Sequence, residues 1–88
     1  MRISVTLHGT LRRFLPAGSS GNATVLDMPE GTTVADVVAR LGIPPDHTKM
    51  MVSGDEYLET TSVLHEGQEV NLFPPLAGGM QGVTVLGG

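Results

Sequence analysis

One stretch of this chain has the spacing of a helix, and what flanks it reads as strand or turn. In TVADVVARLGIPP, running from Thr33 to Pro45, residues Val34, Val37, Val38 and Leu41 fall at i, i+3, i+4 and i+7 and so share one helical face. Thr33 is a good N-cap residue, and Asp36 stands three positions on, a capping box with Asp in the acidic place. Gly42 supplies a C-terminal stop, and Pro44-Pro45 forbid continuation. The predicted helix, Val34–Leu41, is short and rich in valine, a poor helix former, so it is expected to hold only by packing on strands.

The strands are legible from period-two alternation. Met1, Ile3, Val5 and Leu7 alternate with Arg2, Ser4, Thr6 and His8, which predicts a half-buried strand with His8 on its solvated face. Gly9–Gly21 reads as a loop holding a short helical turn of Leu11, Phe14 and Leu15, with Arg12 and Arg13 outward. Ala23–Met28 is a second strand, placed to form a hairpin with the first. Met50–Val52 and Tyr57-Leu58 are brief strands about a Ser53-Gly54 turn, and Thr60–Leu64 is irregular. Glu69–Phe73 resumes the alternation, with Val70 and Leu72 on one face and Asn71 and Phe73 on the other. Pro74-Pro75 end it, since neither residue donates to a ladder. One helix across one face of a mixed sheet of four to five strands is an α+β layout. With the last strand parallel beside the first, it becomes the ubiquitin-like β-grasp arrangement. Residues 1–75 are the expected domain, and 76–88 a flexible C-terminal tail.

The totals exclude several classes. A chain of 88 residues holds one small domain, and 40 % hydrophobic with 3 % aromatic content means a core of Val, Leu, Ile and Met. The absence of cysteine leaves no disulfide framework and no thiolate metal site, which fits an expected cytoplasmic location. A net charge of −4 argues against nucleic acid, and no apolar run is long enough to span a bilayer. Six of the nine acids follow position 45, whereas Arg2, Arg12, Arg13 and Arg40 precede it, so the acidic second half reads as a solvated surface first and as steering for a basic partner second. His8, His47 and His65 fall on separate segments, so no catalytic triad and no metal-spaced histidine pair forms. The glycine pairs lack the lysine and helix of a phosphate loop.

What remains is the end of the chain. From Val70 onward, VNLFPPLAGGMQGVTVLGG, no side chain carries charge, and the stretch contains two glycine pairs, Gly78-Gly79 and Gly87-Gly88. A terminal carboxylate on bare glycine can enter a channel too narrow for any Cβ. Phe73, Pro74, Pro75, Leu76, Gly78 and Gly87 are the expected contacts to a partner, with Phe73 on an apolar patch.

PEGTTVADVVARLG (Pro29–Gly42), MVSGDEYL (Met51–Leu58), LHEGQEVNLFPPLAGG (Leu64–Gly79) and the alternating first strand together resemble the ThiS/MoaD family of β-grasp sulfur carriers. FPPLAGG is the most specific piece and is similar to the C-terminus of the small subunit of molybdopterin synthase. The resemblance implies a carrier and not an enzyme acting alone. A ubiquitin-activating-type enzyme uses ATP to adenylate the terminal glycine, a sulfur donor converts it to a thiocarboxylate, and a large subunit or other acceptor enzyme takes the sulfur. No cofactor is expected on the carrier itself, since ATP is used by the partner. A protein modifier joined through its terminal glycine, and an interaction module without terminal chemistry, are the alternatives. The chain departs from the family pattern in the nine residues MQGVTVLGG that follow Gly79. Extended, they reach roughly 30 Å. Either a peptidase removes Met80–Gly88 and Gly79 is the reactive end, which reach favours, or Gly88 acts as translated. A third course makes Val83–Leu86 an extra strand.

Overall fold

The structure, a computed structural model, describes residues 1–75. Five strands, β1 (Arg2–Leu7), β2 (Ala23–Asp27), β3 (Met50–Ser53), β4 (Glu56–Leu58) and β5 (Glu69–Phe73), form one sheet in the order β2-β1-β5-β3-β4. β1 pairs antiparallel with β2 and parallel with β5, and β3 lies antiparallel to both β5 and β4. The predicted hairpin and the parallel first-to-last pairing are both present. Alternation works as expected. Ile3, Val5 and Leu7 of β1 and Val70 and Leu72 of β5 are fully buried, with Val5 opposite Val70 and Leu7 opposite Leu72.

One helix, α1 (Val34–Arg40), covers that face through Val34, Val37 and Val38, all buried. Burying a side chain of this size is worth about 1.5–3 kcal/mol, which outweighs the few tenths that valine costs in helix propensity. Thr33 and Asp36 complete the capping box, the Asp36 carboxylate accepting from the Thr33 N–H at 2.9 Å and the Asp36 N–H donating to Thr33 Oγ1 at 3.3 Å. The next orphan donors go elsewhere: the Val34 and Ala35 N–H groups reach the carbonyls of Ser62 and Thr60 at 3.1 and 2.9 Å. The irregular 60–64 stretch thus serves as the second half of the helix cap. At the other end, Gly42 takes φ +76°, its N–H bonds Ala39 O and the Ile43 N–H bonds Val38 O, a Schellman motif. The last helical residue is Arg40, with Leu41 as C-cap.

Two 3-10 helices complete the chain. The first, Gly9–Phe14, is the predicted short helical turn, and it plugs one end of the core with Leu11. The second, Pro45–His47, is not expected from the local pattern, in which Pro44-Pro45 end a helix. A proline also opens a helical turn well, because the first turn leaves its N–H without a partner in any case.

Candidate functional site

Because β1 and β5 run parallel as neighbours, they end at the same edge of the molecule, and the chain departs from that edge toward residues 76–88. Leu7 sits opposite Leu72 on the core face, so the next residues, His8 and Phe73, both project onto the face away from α1. Their rings lie parallel, centroids 4.2 Å apart and planes 7° from coplanar. His8 Nε2 donates to Asn71 Oδ1 at 2.9 Å, and the His8 N–H donates to Leu72 O at 3.1 Å. His8 is therefore not the solvated histidine that its polar-face position predicts. It is half-buried, held flat between an aromatic ring and an amide. One residue on, Gly9 adopts φ +57°, and a Cβ there would stand 3.1 Å from Cγ of Pro74. From the other flank, the Lys49 N–H donates to Phe73 O at 2.8 Å and Met50 pairs with Phe73.

The register extends this cluster into a patch. Val52 lies opposite both Asn71 and Tyr57, so Phe73, Met50, Val52 and Tyr57 share the uncovered face of the sheet. Tyr57 is 75 % exposed and Met50 38 %, while Val25, 61 % exposed, stands on the far edge strand. Exposed apolar groups gathered on one face, rimmed by Ser4, Thr6 and Asn71, are a usual partner surface. Phe73 itself gives one ring face to His8 and is half-buried, so it serves the patch less as an exposed anchor than as its floor.

Charge is sorted by edge, not by half of the sequence. Arg12 and Arg13 on the first 3-10 helix, and Lys49 before β3, are exposed around the exit of the chain and form no ion pair among the described residues. Glu66 and Glu69 lie at the start of β5, and the β3–β4 turn brings Asp55 and Glu56 to that same distant edge, tied down by the Gln68–Ser53 hydrogen bond of 3.0 Å. The late acids thus divide between two edges, because antiparallel pairing returns each late segment to an edge its sequence number does not specify. Two acids share the exit edge. Glu59 follows β4 at the sheet margin, and Asp46 is bonded by His47 Nδ1 at 3.1 Å, which holds its carboxyl below the usual value of 3.8.

Among the described residues no cluster of His, Cys, Asp or Glu is arranged to hold a metal, and no helix is long and apolar enough to cross a membrane. A cavity of about 190 Å³ between α1 and the second 3-10 helix is lined by Ala35, Val38, Ala39, Ile43 and Met51 and contains no titratable group. Of the sequence-predicted site residues, the structure places Phe73 and Pro74 against His8 and Gly9 and leaves Pro75 exposed. Leu76, Gly78, Gly79, Gly87 and Gly88, and the Val83–Leu86 segment, lie outside the described residues. His8, Gly9, Met50 and Tyr57 were not expected at the site. Their signal was available only in combination, since alternation gives the face but register gives the neighbour.

The sequence profile of the ThiS family matches residues 5–79. No curated protein matches the chain in sequence. Two crystal structures of small archaeal modifier protein 1 from Haloferax volcanii superpose with TM-scores of 0.64; one is 24 % identical and covers 89 % of this chain and 99 % of its own, the other 22 %, 84 % and 97 %. A protein of Pyrococcus furiosus described as molybdopterin converting factor subunit 1 gives a TM-score of 0.62 at 18 % identity, covering 84 % of this chain and 97 % of its own. At these identities the likeness is one of fold, and that fold is the ubiquitin-like β-grasp. The profile match, which takes in most of the chain, carries the further conclusion that this protein belongs to the ThiS family.

Proposed function

We propose that the chain is a sulfur carrier whose reactive group is the carboxylate of Gly79, exposed by removal of Met80–Gly88. Family membership supports the carrier role, and the observation that carries the choice of glycine is the extent of the match, which runs through residue 79 and no further. A glycine carboxylate is a poor electrophile. An activating enzyme of the ubiquitin-activating type converts it with ATP to an acyl-adenylate and pyrophosphate, and a sulfur donor then displaces AMP to leave a thiocarboxylate. That soft nucleophile attacks an activated acceptor, a pterin precursor of molybdopterin or a related small molecule, held by a large subunit. The uncovered sheet face with Met50, Val52 and Tyr57 docks the partner, and the tail enters its channel. The carrier supplies no base or metal of its own.

The test compares the full chain with a form ending at Gly79, each incubated with ATP, a sulfur donor and an activating enzyme that charges another ThiS-family protein. Intact mass is expected to show one oxygen replaced by sulfur on the Gly79 form only. Charging of the full chain instead moves the reactive end to Gly88, and charging of neither rejects the carrier role. The modifier proteins among the structural neighbours favour a second reading, in which the same glycine is joined to lysines of other proteins. Isopeptide-linked adducts in extract, lost when Gly78-Gly79 is deleted, are its signature.

A further inference from the structure

We infer that His8 and Gly9 are positioning residues that set the direction in which the C-terminal segment leaves the body. Each of the last two steps of the chain before Pro75 is seated on the end of β1: Phe73 on the His8 ring at 4.2 Å, and Pro74 over the bare backbone of Gly9. The two contacts follow from one register. Parallel pairing of Leu7 with Leu72 brings position 8 against position 73 and position 9 against position 74. The imidazole is held on its edge as well as its face. Asn71 Oδ1 lies 2.9 Å from Nε2, so the ring's rotation is restrained as well as its tilt. Glycine suits position 9 chiefly through its backbone, since φ +57° strains any side chain there, and a Cβ would also press Pro74 back by a few tenths of an ångström.

The consequence is reach and order. Pivoting after Pro74, residues 75–79 span at most about 17 Å, so a partner's reactive centre must lie within that distance of the seat. Freeing even one residue of the seat adds its backbone ordering to the cost of channel entry, about a tenfold factor in affinity. The functional part of this inference rests on the carrier reading, whereas its structural part does not.

Backbone order parameters at Phe73 are measured by ¹⁵N relaxation on the full chain, for the parent, His8→Ala, His8→Phe and Gly9→Ala. Thermal midpoints are recorded alongside, together with KM and kcat for pyrophosphate release by the activating enzyme acting on the same four proteins ending at Gly79. His8→Ala and Gly9→Ala are expected to lower the order at Phe73 while the amides of β2 and β4 stay unchanged. KM for the carrier is expected to rise about tenfold, with kcat unaltered. His8→Phe, which keeps the stack, is expected to restore both. Order parameters equal in parent and His8→Ala overturn the inference, as does a loss that His8→Phe does not rescue, or an unmoved KM when the parent is adenylated. If neither the full parent chain nor its form ending at Gly79 is adenylated, the carrier reading fails, and the relaxation data alone decide the positioning.

Discussion

Val38 illustrates how a single side chain carries the domain. It is 6 % exposed, on the face of α1 that meets the sheet, and the cavity it lines offers a carboxylate the hydroxyls of Thr48 and Thr60 but no cation. Val38→Asp places an unpaired carboxylate there, at a cost of at least about 3–5 kcal/mol. At about 0.05–0.15 kcal/mol per residue, an 88-residue chain has roughly 4–13 kcal/mol of stability in all, so the variant is expected to lose a large part of it and to melt far below the parent. A thermal midpoint within a few degrees of the parent's would contradict this. His8 makes the complementary point. Its position in the alternation is polar and outward, as the sequence states, yet it finishes half-buried because Phe73 lies against it. Alternation names a face, and burial on that face depends on what the neighbouring strand puts there.

At the scale of elements, α1 is the clearest case of local and distant determinants acting together. Its cap at Thr33, its valine stripe and its Gly42 stop are all written locally, and each appears where the spacing requires. The carbonyls of Ser62 and Thr60 that complete the cap come from a stretch without periodicity, and nothing in their own sequence marks them as partners of a helix. Thr33→Ala removes the local half of the cap and leaves the distant half. It is expected to cost about 1 kcal/mol and to lower the thermal midpoint by about 4–8 °C while the protein stays folded. A calorimetric midpoint equal to the parent's would show that the 60–64 carbonyls hold the helix start by themselves.

At the scale of the whole molecule, the exit edge gathers three cationic side chains beside two carboxylates on a protein of net charge −4. Arg12, Arg13 and Lys49 surround the exit, and the proposed function brings that edge against a partner's channel mouth. An acidic rim there is the complementary surface. The double variant Arg12→Glu, Arg13→Glu is expected to slow association with the activating enzyme about tenfold at low salt. The difference should shrink toward 1 M salt, where the screening length falls to about 3 Å. Because both side chains are exposed, the thermal midpoint is expected to move little. Stopped-flow association rates across a salt series decide it: equal slopes for parent and variant would remove electrostatic steering from the account.

The amino-acid sequence alone determined α1 and the strands, though not the Pro45–His47 turn, because helix caps, valine spacing, period-two alternation and proline stops act between residues close in the chain. It also limited the fold to an α+β layout, since one short helix among strands has few ways to bury its apolar face, whereas the strand order belongs to the tertiary structure. The tertiary structure decided what those elements place side by side. The stack of His8 on Phe73, the seat of Pro74 over Gly9 and the gathering of Arg12, Arg13 and Lys49 at one edge all depend on the register between segments more than twenty residues apart. Register is set by the collective fit of the buried faces, Val5 to Val70 and Leu7 to Leu72 among them. A shift of one residue would turn every one of those side chains to the wrong face, which is why no local pattern carries that information.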